Sequence, residues 1–231
     1  MSDIRETHIR ETLQRNLDCV RRRMAEAIAR SGKGRAPDAV RLVAVTKTVG
    51  ADIVRILHEV GATDFGENRV EGAREKIVAA PAPARWHMIG PVQRRKARDI
   101  VALFDTVDSI DRLEVAEALQ RRCEEQDRRI RALVEVNVSA EASKHGFSPE
   151  SLDDALAAMA GLNRLHIEGL MTMAPFNAPE TVLRTVFGRL RELAESHNLQ
   201  EISMGMSDDY EIAIEEGSTQ VRIGRALFEG I

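Results

Sequence analysis

The chain keeps changing its hydrophobic period. Val40-Arg41-Leu42-Val43-Ala44-Val45 is a short β-branched run, the length of a buried strand and too short for a helix. Residues 51–60 then place Ile53, Val54, Leu57 and Val60 at helical spacing before Gly61. The alternation repeats. Further strands are expected at Asp64-Phe65-Gly66, Trp86-His87-Met88-Ile89-Gly90, Thr106-Val107-Asp108-Ser109 and Ala132-Leu133-Val134-Glu135-Val136-Asn137-Val138. Three more are expected at Leu165-His166-Ile167-Glu168-Gly169-Leu170-Met171, Glu201-Ile202-Ser203-Met204-Gly205 and Gln220-Val221-Arg222-Ile223-Gly224. Helices are expected between them, over 69–79, 93–103, 111–126, 149–160, 179–197 and 209–216. Such α/β alternation, repeating about every 25 residues, is the pattern of a single (β/α)8 TIM barrel. The alternative is a doubly wound open sheet, but no G-x-G-x-x-G follows the first strand and no strand reads as an edge.

One further helix precedes the first strand. Leu13, Leu17, Val20, Met24 and Ile28 recur at steps of three and four, and Ser31-Gly32-Lys33-Gly34 ends the run. Almost no chain is left for a helix after the eighth strand, so this extra N-terminal helix is expected to cover that gap. We expect one domain over 1–231, with the helix and its loop over 1–34 and the barrel over 40–231. Hydrophobic residues make up 43% and charged residues 30%, which excludes a disordered or fibrous chain. Lys and Arg number 33 against 37 Asp and Glu, so the net charge of −4 leaves no footprint for nucleic acid or an anionic membrane. No apolar run approaches the ~18 residues of a membrane span. Met1-Ser2-Asp3-Ile4-Arg5-Glu6 is charged from its start, without the apolar core of a signal peptide, which points to the cytoplasm. Cys19 and Cys123 suit neither a metal site nor a disulfide framework.

In such a barrel the working residues sit at the carboxyl ends of the strands and in the loops beyond. In order, those positions hold Lys47, Asn68, His87, Ser109, Asn137, Met171 with Thr172, Ser207, and Arg222 with Gly224. Lys47 follows the first strand, as either an imine-forming amine or a solvated lysine opening the next helix. The segment Ser203-Met204-Gly205-Met206-Ser207-Asp208-Asp209 leads from strand seven into a short helix. Its free N–H groups and the Ser207 hydroxyl suit a phosphate, and equally an ordinary cap by Ser207 or Asp208. Loops after strands seven and eight are the usual phosphate site of this architecture, and Gly224 permits close backbone approach there.

Several stretches carry a family resemblance. They are Leu42-Val43-Ala44-Val45-Thr46-Lys47, Asp64-Phe65-Gly66-Glu67-Asn68, Trp86-His87-Met88-Ile89-Gly90-Pro91-Val92-Gln93 and Val136-Asn137-Val138-Ser139. They continue with Lys144-His145-Gly146-Phe147, Gly169-Leu170-Met171-Thr172-Met173, the Ser203–Asp209 segment and Val221-Arg222-Ile223-Gly224. Taken in order, this set closely resembles the YggS/PROSC family of pyridoxal 5′-phosphate (PLP) homeostasis proteins, over nearly all of residues 10–229. Those proteins look like the barrel domain of alanine racemase standing alone, a fold-type III barrel. The resemblance implies PLP as cofactor, carried on Lys47 as an internal aldimine. It implies that Ser207, Gly224 and the backbone of Arg225 hold the phosphate, that Arg222 faces the pyridine nitrogen, and that Asn68, His87 and Met204 complete the pocket. An arginine stays charged, so it keeps that nitrogen unprotonated and weakens the ring as an electron sink.

By the same resemblance the protein takes part in intracellular PLP homeostasis, holding PLP and delivering it to apo-PLP enzymes. It is expected to be a monomeric carrier rather than a conventional enzyme. A two-base racemase needs a second acid/base group across from the lysine. Alanine racemase-like enzymes take a tyrosine from an additional β-domain in a dimer, whereas the tyrosine here is Tyr210, at a helix start. The rival reading is a PLP-dependent amino-acid racemase of low activity; a third is a regulator acting through a protein partner.

The sequence departs from the usual family pattern in four places. Thr48-Val49-Gly50 replaces Thr-Lys-Pro, Arg69 replaces Tyr, Val92-Gln93-Arg94-Arg95-Lys96 replaces Leu-Gln-x-Asn-Lys, and Arg225 replaces Thr. Arg225 either adds a cation near the phosphate or points to solvent. His87 is either a pocket residue or a satisfied core histidine, while His58, His166 and His197 read as surface or packing residues. Lys144, in a polar loop on the same rim as Lys47, is a candidate second amine for receiving or handing over PLP. Arg94-Arg95-Lys96 and Arg121-Arg122 read as solvated helix faces, and no residue set has metal-ligand spacing.

Overall fold

The computed structural model describes residues 3–139, 141 and 145–231. Eight parallel strands close into a barrel in sequence order. They are β1 Arg41–Val45, β2 Asp64–Glu67, β3 Arg85–Met88, β4 Thr106–Ile110, β5 Ile130–Glu135, β6 Leu165–Met171, β7 Glu201–Ser203 and β8 Gln220–Ile223. Helix α1 (Asp3–Arg30) precedes them. Between successive strands run α2 (Ala51–Glu59), α3 (Val70–Ala79), α4 (Ala97–Leu103), α5 (Leu113–Glu125), α6 (Leu152–Met159), α7 (Glu180–Ser196) and α8 (Tyr210–Glu216).

Strands β3, β5, β7 and β8 end earlier than their runs suggest, and for β5 and β7 the local reason is visible. Beyond β5, Phe147 N–H donates to Glu135 C=O and Asn137 N–H donates to Phe147 C=O, both at 2.9 Å, so a returning loop takes the backbone groups. Beyond β7, Gly205 turns the chain with φ +96°.

After β8 the chain makes one 3-10 turn, Arg225–Leu227, and no wall helix follows it among the described residues. The eighth place in the helical wall is taken by α1, as expected. Its Leu13, Leu17, Val20 and Ile28 are buried. Asn16 Nδ2 donates to Leu227 C=O (3.1 Å) and Glu229 C=O (2.9 Å). On one flank Arg30 pairs with Glu211 and Glu215 of α8; on the other Arg10 pairs with Glu59 of α2.

The apolar core lies between sheet and helices, where Ala44, Phe65, Trp86, Val107, Ala132 and Ile223 of the strands meet the helical side chains. The barrel's own interior is largely polar. Gln220 on β8 donates to Asp108 on β4 at 2.5 Å. Those strands stand four apart on a ring of eight, so this bond spans the lumen. Among the described residues no helix is long and apolar enough to cross a membrane.

Candidate functional site

The register of β1 against β8 brings the ends of the sequence pattern together. Val43 lies opposite Arg222 and Ala44 opposite Ile223, which sets Gly224 beside Val45. A Cβ on Gly224 would already touch Val45 Cβ and carbonyl oxygen at 3.4 Å. Lys47 follows two residues later, in a turn closed by Val49 N–H to Thr46 C=O (3.1 Å). It is exposed, and among the described residues its amine makes no hydrogen bond or ion pair.

The floor of that turn is a buried cluster that sequence reasoning missed. Thr46 Oγ1 donates to Glu67 Oε1 at 2.6 Å. Lys76 Nζ reaches back from α3 to donate to the same oxygen (2.6 Å) and to Thr46 C=O (2.8 Å). Lys76 is only 8% exposed. Its helix is charged throughout, and nothing in the charge pattern distinguishes this lysine from its solvated neighbours.

The loop from β7 to α8 is shaped by Gly205. A Cβ there would lie 2.6 Å from Ala213 Cβ and 2.9 Å from Tyr210 Cα at a positive φ, which only glycine tolerates. Neither Ser207 nor Asp208 caps α8. Asp209 holds the N-cap place, and its carboxylate turns back to accept from Met206 N–H at 2.5 Å. Burial pushes the Asp209 carboxyl up, against the stabilising Met206 N–H. Ser207 is thereby left to meet the next loop, where its Oγ accepts from Ala226 N–H at 3.5 Å. The Arg225 guanidinium pairs with Asp208, which leaves the backbone of the 3-10 turn as Arg225's contribution beside Ser207.

Arg222 is buried. Its guanidinium donates to Ser203 Oγ (2.6 Å) and Thr172 C=O (2.9 Å). Burial pulls its pKa down, while Asp108, Asp209 and Glu135 favour the charge. Ser203 Oγ also accepts from Gln220 Nε2 at 3.0 Å, and Gln220 continues to Asp108. Asp108 lies 3.3 Å from His87 Nδ1, and His87 Nε2 lies 3.3 Å from Asp64. A polar line thus runs from Arg222 down to Asp64.

These placements sort the remaining candidates. His87 is 0% exposed, with a carboxylate at each ring nitrogen, so the geometry favours the core histidine over the pocket residue. Burial opposes its charge, but Asp108 and Asp64 outweigh burial and push its pKa up to about 9. Met204 is also 0% exposed and packs in the apolar core; its side chain offers no surface to a ligand. Asn68 is half-buried beside the mouth, and the next loop crosses so closely that a Cβ on Gly90 would lie 2.4 Å from Asn68 C=O. Ser109, Asn137 and Thr172 tie loops together through Gly90 C=O, Glu141 C=O and Val136 C=O. Tyr210 is buried against α1, with Arg23 5.8 Å over its ring. Lys144 lies outside the described residues.

Two carboxyls at the far rim also escaped sequence reasoning. Glu135 ends β5 and Asp111 follows β4; both are buried. Burial, then the Asp111 charge, pushes the Glu135 carboxyl up. Glu135 sits within an otherwise ordinary apolar strand, where no motif marks it. Among the described residues no group of three or more His, Cys, Asp or Glu is placed to hold a metal ion.

Comparison with known proteins agrees with this fold. Residues 11–230 match the family model described as alanine racemase, N-terminal domain. The chain is 42% identical to the pyridoxal phosphate homeostasis protein of Pseudomonas aeruginosa, over 94% of this chain and 95% of that one. It is 36% identical to the protein of that name in Escherichia coli K12, over 92% and 94%. PipY of Synechococcus elongatus, solved with PLP bound, superposes with a TM-score of 0.76 at 32% identity, over 89% of this chain and 99% of PipY. Clostridium difficile alanine racemase shares the fold, with a TM-score of 0.71 at 13% identity over 94% of this chain and 56% of the racemase. The chain therefore belongs to the alanine racemase N-terminal domain family, on the branch of the pyridoxal phosphate homeostasis proteins.

Proposed function

We propose that this protein binds PLP at the carboxyl end of its barrel and works in the cytoplasm as a carrier of that cofactor. The observation that carries the reading is the junction of β1 and β8. An exposed amine at Lys47, without a hydrogen-bond partner among the described residues, stands in the turn beyond the strand that packs against Gly224, and Gly224 leads into the turn whose Ala226 N–H meets Ser207. An amine, a hydroxyl with backbone N–H groups, and a buried guanidinium form the donor set that an aldehyde-bearing pyridinylmethyl phosphate needs. Lys47 would hold the aldehyde carbon, Ser207 with the Gly224 and Arg225 backbone the phosphate, and Arg222 would face the ring nitrogen, with Asn68 at the edge. PLP itself supplies an electrophilic aldehyde and an electron-withdrawing ring.

Arg222 favours holding over turnover. It is fixed by Ser203 and Thr172, and a guanidinium beside the ring nitrogen opposes its protonation, which weakens the ring as an acceptor of electrons. Release to apo-enzymes and a monomeric state belong to the same reading. The test is the absorbance spectrum of the protein with PLP, against free PLP. We expect a protein-bound band that Lys47→Ala abolishes; a band unchanged in that variant refutes the assignment.

One observation favours the rival racemase. Glu135 is a buried carboxyl, its pKa raised by burial, on the strand opposite β1, where a second acid/base group would stand. Racemisation of an amino-acid panel above the rate with free PLP, lost in Glu135→Gln, would replace the carrier reading.

A further inference from the structure

A cleft of about 350 Å3 opens between the loops that follow β2 and β3. Nearly buried Val70, Met88 and Ile100 lie behind it, and its rim carries Arg69, Arg95 and Lys96. Glu71 also lines it and pairs with Lys96 at 2.5 Å. Arg95 Nε donates to Gln93 Oε1 at 2.9 Å, and Arg69 forms no ion pair among the described residues. A neighbouring cleft lined by Arg94, Arg95, Arg121 and Arg122 shares Arg95 and extends the positive field. These cations gather on a chain whose net charge is −4, so the local excess runs against the molecule's average. The uncapped start of α3 lies at the same edge and adds to the field.

A cationic rim suits a guest with an anionic end. The volume falls within the ~300–1,000 Å3 of small-molecule sites, and guanidinium forks match phosphate oxygens. Asn68 lines this cleft and also borders the barrel mouth. We propose that the cleft is a second, noncovalent site for a phosphate monoester carried on a small ring, one wall away from Lys47. The choice of ligand class rests on the PLP reading of the mouth; the shape and charge of the cleft do not.

Pyridoxamine 5′-phosphate is the probe, because it lacks the aldehyde that would link to Lys47. Titration of the full chain is followed by amide NMR shifts at Glu71 and Lys96 for the cleft, and at Gly224 and Ala226 for the mouth. Both sets should move in the wild type. In the double variant Arg69→Ser/Arg95→Ser the cleft set should need at least tenfold more ligand, while the mouth set and the PLP absorbance band stay unchanged. Inorganic phosphate should move the cleft set more weakly, and pyridoxine, which has no phosphate, should not move it. A cleft set that stays still in the wild type, moves equally in the double variant, or responds equally to pyridoxine overturns the proposal. If the mouth set alone moves, the cleft falls and the PLP reading stands; if the cleft set alone moves, the cleft stands and the PLP reading is judged by its own absorbance band.

Discussion

Gln220 and Asp108 meet across the lumen at 2.5 Å, and the same amide nitrogen reaches Ser203 Oγ at 3.0 Å. One side chain therefore links the carboxylate beside His87 to the hydroxyl that holds Arg222. Gln220→Leu keeps the volume and removes both bonds, together with the one that Gln220 Oε1 accepts from Arg41. A hydrogen bond to a charged partner contributes about 1.5–3 kcal/mol, so we expect a loss of that size, read as a lower urea midpoint. The PLP-bound absorbance band should also shift as Arg222 loses its fixed partner.

The buried imidazolium sets a pH dependence. His87 has its pKa pushed up to about 9, against an unperturbed value near 6.5. Its contribution to stability is whole below about pH 6.5 and is lost as the pH climbs through about 9. Asp64 acts in the opposite sense. Burial raises its pKa, but His87, Arg85 and Thr63 together hold it well below the usual carboxylate range. Its contribution is whole above about pH 4 and falls away on acidification. The urea midpoint should be highest between these limits, and the alkaline decline should shrink in His87→Gln. That variant should itself cost ~3–5 kcal/mol, because it leaves the buried Asp108 without the His87 charge, while Asp64 keeps Arg85.

Glu67→Gln tests the floor under the Lys47 turn. It weakens the contacts from Thr46 Oγ1 and strands the Lys76 ammonium. We expect about 3 kcal/mol of destabilisation and PLP binding weakened several-fold, measured by spectral titration. Unchanged PLP affinity would separate this cluster from the site above it.

Gly205→Ala should be harmful twice over. The positive φ costs about 1–3 kcal/mol in a non-glycine residue, and the new methyl would press on Ala213 Cβ at 2.6 Å. The expected result is a lower melting temperature together with loss of the phosphate end of the site, because Ser207 rides on this loop. Because Tyr210 Cα would also lie 2.9 Å from the new methyl, Gly205→Ala/Ala213→Gly should recover PLP affinity only in part.

The parts legible from sequence were those where chemistry follows local order. Val40–Val45 and Leu165–Met171 read as strands because their runs are short and apolar, and Lys47, Ser207 and Gly224 were placed by strand ends alone. The line from Asp64 through His87, Asp108 and Gln220 was not legible. Polar residues alternating with apolar ones look like the wet face of an open sheet, and only closure of the barrel turns that face inward. Lys76 and Glu67 escaped for a related reason: their partners are set by how α3 lies on β2, and not by spacing within either element.

The helix ahead of the barrel in sequence finishes it in space. Asn16 is bonded to the carbonyls of Leu227 and Glu229, contacts separated by more than two hundred positions. Loops of that span close at an entropic cost and slow the search for the native state. Assembly of this wall is thus a late event, and a nascent chain carries the exposed apolar stripe of Leu13, Leu17 and Val20 until its final strand arrives.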